Sequence, residues 1–356
     1  MPKTPSTKFN KNFQELSQYF DMKQLYPWQL TSWQTLQGLR KRLPHALLLK
    51  GAQGIGKLDL AMNFALSLLC EHPTGDGIAC GMCNSCRWFE QDSHPDFRLI
   101  QPDALSLEDE GEVKASGKKP SREISVDQIR DLANFSNLSS HRGGYRIILI
   151  HPAEAMNSNA ANSLLKTLEE PTDNLLFLLV THKPQQILPT ILSRCQSVIL
   201  PTPTRDAGIA WLIEQGVHDP EQALAQTGFA PLQALSWAES GEGAEERKIL
   251  LGAIHQPSQL DPLSLVESLQ RSAPVHIIHC LQQWCHDLAS AKLAGCVRYF
   301  PDRSSTILKL SGSVPAASLL RYQKELLVAR RAANHPLNQR LLLETLLLSY
   351  RQLFMA

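Results

Sequence analysis

The stretch Gly51-Ala52-Gln53-Gly54-Ile55-Gly56-Lys57-Leu58 has the glycines and lysine of a phosphate-binding loop but closes on a residue without an oxygen. In the pattern G-x-x-x-x-G-K-[ST], backbone N–H groups and the lysine cradle phosphates, and the last side chain supplies a hydroxyl for Mg²⁺. Leu58 cannot do this. Hydrolysis also needs a carboxylate at the end of a neighbouring strand, to hold the ion and orient water. The segment 146–150 reads as that strand, yet it runs into His151-Pro152, and Glu154 falls on the turn beyond. Gly51, Gly54, Gly56 and Lys57 are therefore candidate phosphate contacts in a loop that binds ATP weakly or not at all. The plainer alternative is a glycine-rich turn packing a helix on a strand. An apolar run at 46–49 before the loop and a helical pattern after it favour the phosphate loop.

Cys70, Cys80, Cys83 and Cys86 form a second group with chemistry, C-x9-C-x2-C-x2-C, with glycines at 75, 77 and 81 supplying turns. Four thiolates can close a tetrahedron around zinc, and such a site is structural because it keeps no open position. An iron–sulfur cluster or unliganded thiols are the alternatives. The remaining cysteines, at 195, 280, 285 and 296, are scattered.

The elements that position these groups follow from apolar periodicity. Segments 46–49, 97–100, 147–150, 175–180 and 198–200 read as buried strands, separated by helical patterns, which implies a parallel sheet with crossover helices. One helix runs from the phosphate loop to about Leu69. Another opens at Ser125, whose spacing to Gln128 predicts a capping box, with Ile129 and Leu132 on one face. A third spans 159–169 and stops before Pro171. Residues 103–122 mix charges with glycine and proline and read as a solvated loop. Pro201 and Pro203 end the sheet region, a short helical segment follows to about 245, and Gly241-Glu242-Gly243 marks a linker. The remainder is all helical. Residues 1–24 read as a mobile extension, with a short helix over 13–20 as an option.

Of the 356 residues, 43% are hydrophobic, enough for two or three packed cores. No run reaches the length of a membrane span, and the first residues lack an apolar signal core, so a cytoplasmic location without membrane contact is expected. Thirty-five basic side chains against thirty-four acidic ones leave a formal charge of +1, which gives nucleic acid no global field to follow. Lys118, Lys119 and Arg122 are the nearest thing to a basic patch.

Asn162-Ser163-Leu164-Leu165-Lys166-Thr167-Leu168-Glu169-Glu170-Pro171 and Ser193-Arg194-Cys195, together with the cysteine insertion behind the phosphate-loop helix, resemble the bacterial DNA polymerase III clamp-loader family in its delta-prime branch. The resemblance covers the chain from about Tyr26. It implies an α/β AAA+ module with a parallel sheet and inserted zinc module (25–202, zinc at 70–86), a small helical lid (203–245) and an all-α collar (246–356). It also implies a hetero-pentameric ring with ATPase (gamma/tau) subunits and a delta subunit, acting on a sliding clamp and primer-template DNA. Where the ATPase relatives carry threonine and Asp-Glu, this sequence has Leu58 and His151-Pro152. Where they carry a lid arginine in Gly-Ser-x-Arg, it has Gly228-Phe229-Ala230-Pro231. Thr181 falls at the family's polar sensor position. The resemblance thus implies a subunit without ATPase activity of its own, with Arg194 as an arginine finger supplied in trans. Two alternatives stay open: an ATPase subunit with an atypical magnesium site, using Glu154, and a zinc-dependent nucleic-acid-binding module. Without the family, pairing of Arg194 with a carboxylate of its own domain is an even alternative to the finger.

Overall fold

The computed structural model describes residues 25–108, 120–137, 140, 144–241, 243–269, 272–333 and 338–355. The expected extension at 1–24 and most of the 103–122 segment lie outside these residues. The chain divides into two compact units, one ending at Pro203 and the next beginning at Thr204.

The first unit is built on five parallel strands, β1 (Ala46–Lys50), β2 (Phe97–Ile100), β3 (Arg146–Ile150), β4 (Leu175–Thr181) and β5 (Gln196–Ile199), in the order β2-β3-β4-β1-β5. Consecutive side chains point to opposite faces of a strand, so β1 splits into two sets. Leu47 and Leu49 join the cluster containing Leu60, Phe64 and Trp33 from the helices Lys57–Leu69 and Leu30–Leu39. Ala46 and Leu48 face the opposite cluster, with Leu132 and Leu164 from the helices Val126–Asn137 and Ser158–Glu169. Every residue of β3 and β4 is buried. That explains why these strands read as continuous apolar runs rather than alternating ones. The α/β module with a parallel sheet and crossover helices expected from the sequence is therefore present.

Local signals hold at the helix ends. Ser125 Oγ accepts from Gln128 N–H at 3.3 Å while Gln128 Oε1 accepts from Ser125 N–H at 2.8 Å, the reciprocal capping box. Asn157 caps the helix Ser158–Glu169 through Ala160 N–H at 2.9 Å. One expectation fails: residues Asp103–Glu108 form a short helix rather than loop. Leu105 N–H bonds the Pro102 carbonyl and Ala104 N–H bonds the Ser121 carbonyl, so local hydrogen bonds outweigh the charged composition there.

Only helices form among the described residues of the second unit. Its core surrounds the helix Pro274–Ala294, whose Trp284 is fully buried. Across the lid–collar boundary expected at 245, Gln283 bonds the Gln226 carbonyl and Arg298 lies 4.8 Å from the Phe229 ring centre. The two parts thus touch within one compact unit.

A buried relay ties this core together: Trp284 Nε1 donates to the Tyr350 hydroxyl at 2.9 Å, which donates to the Ile254 carbonyl at 2.8 Å. Tyr350→Phe deletes the shared oxygen and leaves an N–H and a carbonyl unpaired in a dry interior. It is expected to cost about 1–3 kcal/mol, visible as a lowered midpoint in urea unfolding with an unchanged slope.

Candidate nucleotide and metal sites

The phosphate loop leaves the end of β1 and enters the helix Lys57–Leu69. Gly51 sits so close to β5 that a Cβ would lie 2.6 Å from the Leu200 carbonyl oxygen. Gly56 takes a φ of +79°, which favours glycine, and a Cβ there would meet Gln29 and Tyr26. Both glycines are thus set by close approach. The loop is braced from outside: the fully buried Gln29 donates through Nε2 to the Gly56 carbonyl at 2.6 Å, and Trp28 Nε1 donates to the Ile55 carbonyl at 2.9 Å. The Tyr26 ring stacks on Trp28 with centroids 5.1 Å apart, and its hydroxyl bonds the Asp59 carboxyl.

Lys57 does not reach outward. It is 2% exposed, and its ammonium donates to the Ala52 carbonyl of its own loop. Burial pulls its pKa down to about 8, against the opposing charge of Glu154. Leu58, at the position of the magnesium hydroxyl, packs against the apolar cluster of the first unit. Asp59 is pushed up to about 6 by burial, with the Tyr26 hydroxyl acting the other way.

At the end of β3 the structure puts Glu154 on a 3-10 turn, Ala153–Ala155, as its spacing predicts. Its carboxylate is already engaged, accepting from Thr181 Oγ1 at 2.7 Å and from His182 N–H at 3.0 Å. His151 and His182 meet edge to face, with centroids 5.3 Å apart. Burial comes first in lowering both, His151 to about 3 and His182 to about 4, and the nearby Lys57 charge adds to each. Both rings are therefore neutral at physiological pH. Sequence reasoning placed Thr181 and Glu154 separately and missed their bond, because the two lie on different elements. It passed over Gln29 entirely, since an isolated glutamine carries no motif.

The structure brings Cys70, Cys80, Cys83 and Cys86 together, with all four Sγ atoms within 4.8 Å of one another. The Cys70–Cys83 and Cys80–Cys86 separations are 3.9 and 4.0 Å. A tetrahedral Zn–S distance of about 2.3 Å requires about 3.8 Å between sulfurs, so the group fits the ion. Backbone N–H groups point at the sulfurs: Met82 and Cys83 donate to Cys80, and Cys86 donates to Cys83, each at 3.4 Å. The two N–H groups on Cys80 pull its thiol down to about 6, whereas burial raises Cys86. Outer contacts fix the module. Trp33 Nε1 donates to the Asp76 carbonyl at 3.1 Å, and Ser85 Oγ donates to the Leu69 carbonyl at 2.7 Å. His94 Nδ1 accepts from Asp96 N–H, which leaves Nε2 as the donor to Ser85 Oγ at 2.7 Å.

Arg194 follows the short helix Pro189–Leu192 and is 34% exposed. Its guanidinium lies 2.6 Å from the Glu169 carboxylate and donates to the Thr190 carbonyl at 2.9 Å. Within a single chain, the local ion pair is the arrangement seen.

The sequence matches the family described as DNA polymerase III, delta subunit over residues 30–204, and that described as DNA polymerase III, delta subunit, C terminal over 242–352. A DNA polymerase III subunit delta' of Pseudomonas aeruginosa is 34% identical over 351 residues, spanning 93% of this chain and 99% of that one. The chain belongs to the DNA polymerase III delta-prime family. A delta-prime subunit of Bacillus subtilis is 35% identical over 210 residues, 58% of each chain. The tau subunit of Escherichia coli is 37% identical over 155 residues, 43% of this chain and 21% of tau. A solved gamma subunit-related protein of Thermotoga maritima aligns over 91% of this chain and 99% of its own at 18% identity, with a TM-score of 0.42. The sheet order and loop geometry carry the fold assignment on their own. No helix among the described residues is long and apolar enough to cross a membrane.

Two outcomes are expected for this delta-prime family member. Protein purified without chelator should carry about one equivalent of zinc by elemental analysis, and Cys83→Ser should lose it and loosen residues 70–86 while the sheet stays folded. Less than half an equivalent in the wild type would count against the site. Asp59, whose folded pKa of about 6 lies above its ordinary 3.8, binds its proton more tightly in the folded state. Its contribution to stability is therefore present at low pH and lost as pH rises from about 4 to about 6. Asp59→Asn should remove that slope when urea midpoints are compared across the window.

Proposed function

We propose that this chain is a clamp-loader subunit that does not hydrolyse ATP and that supplies Arg194 to the ATP site of a neighbouring subunit. Leu58 carries the first half of this reading. An apolar side chain packed against the core stands where Mg²⁺ needs a hydroxyl, and His151-Pro152 stands where it needs carboxylates. The inward turn of Lys57 and the Tyr26 ring against Gly56 support weak or absent binding of ATP at this loop. The atypical-magnesium alternative would use Glu154, but Thr181 and His182 already hold that carboxylate.

The second half rests on Ser193-Arg194-Cys195 and on the exposure of Arg194. A guanidinium at a γ-phosphate stabilises charge in the transition state, and such fingers are worth about 10³–10⁵ in rate. The neighbours in this reading are gamma/tau ATPase subunits and a delta subunit in a hetero-pentameric ring, which loads a sliding clamp onto primer-template DNA in the cytoplasm. The domain assignment in this reading keeps the AAA+ module to 202, a lid at 203–245 and a collar at 246–356. Zinc held by the four cysteines is structural, since a closed tetrahedron offers no position to substrate.

The isolated chain is expected to show no ATP turnover, and Leu58→Thr alone should not create any. Turnover by the wild type that disappears in Lys57→Ala would overturn the non-hydrolysing role. Arg194→Ala should leave the chain folded and the ring assembled, yet lower clamp- and DNA-stimulated hydrolysis and clamp loading by the complete assembly. Arg194→Lys should rescue poorly, because a point charge lacks the planar fork. Wild-type rates in the assembled Arg194→Ala loader would leave the subunit purely architectural.

A further inference from the structure

Arg194 is held at a place built to attract it. Its guanidinium donates to Glu169 Oε1 at 2.6 Å and to the Thr190 carbonyl at 2.9 Å, with Ser193 Oγ 3.4 Å away. Glu169 is the last residue of the helix Ser158–Glu169, and Glu170 is its C-terminal cap. The end of a helix carries partial negative charge on its unpaired carbonyls, so carboxylates are disfavoured there and a cation is favoured. Arg194 answers the carboxylate. The pair is nevertheless open to solvent, with 34% of the Arg194 side chain and 51% of that of Glu169 exposed. Exposed pairs of this kind are weak and readily exchanged.

We propose that Glu169 is a positioning residue that parks Arg194 in the free chain and releases it to the phosphates of a nucleotide bound by the neighbouring subunit. This inference rests on the finger reading above. A phosphate chain carries more charge than one carboxylate and accepts the guanidinium in a bidentate manner. In a subunit interface with less water its pull is also stronger than that of Glu169 at the surface. The exchange then depends on nucleotide: with none in the neighbour, Arg194 gains nothing by leaving. Removing the charge of Glu169 frees Arg194 in advance and favours the engaged state by about two- to fivefold, the range of exposed ion pairs.

The test is the dissociation constant of the full-length chain from a clamp-loader ATPase subunit, with and without a non-hydrolysable ATP analogue. Wild type, Glu169→Gln, Arg194→Ala and the double variant are compared, with thermal melts as a folding control. Glu169→Gln is expected to tighten binding about two- to fivefold with the analogue and to change nothing without it. In the Arg194→Ala background the Glu169 effect should vanish. If Arg194→Ala weakens analogue-dependent binding while Glu169→Gln does not tighten it, parking is wrong and the finger stands. An equal Glu169 effect in both backgrounds also removes parking, because it would then act without Arg194. If Arg194→Ala changes neither binding nor ATP hydrolysis by the assembly, the finger reading itself falls.

Discussion

Strand β1 is hydrogen-bonded along both edges, to β4 and to β5, and four of its five residues are fully out of water. The loop that leaves its end therefore has a fixed root, and everything near the loop inherits that root. Gly51 is placed against the end of β5 by this register. Thr181 is placed opposite Lys50 by the other register, which puts its hydroxyl within reach of Glu154. A sheet slip of one residue would turn the apolar set of β1 to the wrong faces, so the register is set by burial on both sides.

A fixed root lets the loop hold its backbone conformation while Leu58 stands where the phosphate-loop pattern has a hydroxyl. The backbone conformation is maintained by contacts that never involve a nucleotide: the Gln29 amide, the Trp28 indole and the close packing at Gly51 and Gly56. The side chain at 58 is free to become apolar because no structural contact needs its oxygen. Shape and chemistry are thus supported by different residues, and one can be lost without the other.

Much of this was legible in the sequence, for reasons that differ by element. β3 and β4 are buried on both faces, so their runs are unbroken and easy to read, and the cysteine spacing leaves little geometric freedom. β5 was harder: Val198 is its single buried residue, and the strand begins two residues before the apolar run. The helix Asp103–Glu108 was hidden because its hydrogen bonds involve Pro102 and Ser121, not a periodic face. Gln29, Tyr26 and the identity of Glu169 as the carboxylate that pairs with Arg194 depend on contacts over long chain separations, 27 residues for Gln29 to Gly56 and 25 for the ion pair. No local pattern encodes such contacts.

The cysteine knuckle also has a consequence in protons. Neutral thiols must become thiolates to hold a divalent ion, so filling the site ejects protons into solution. Its N–H donors already draw Cys80 toward the thiolate, whereas burial shifts Cys70 and Cys86 the other way. Metal uptake at this site would thus draw on groups shifted in opposite directions, and occupancy would fall as a solution is acidified. Within the delta-prime fold, this small excursion behind the phosphate-loop helix would act as an acid-labile staple.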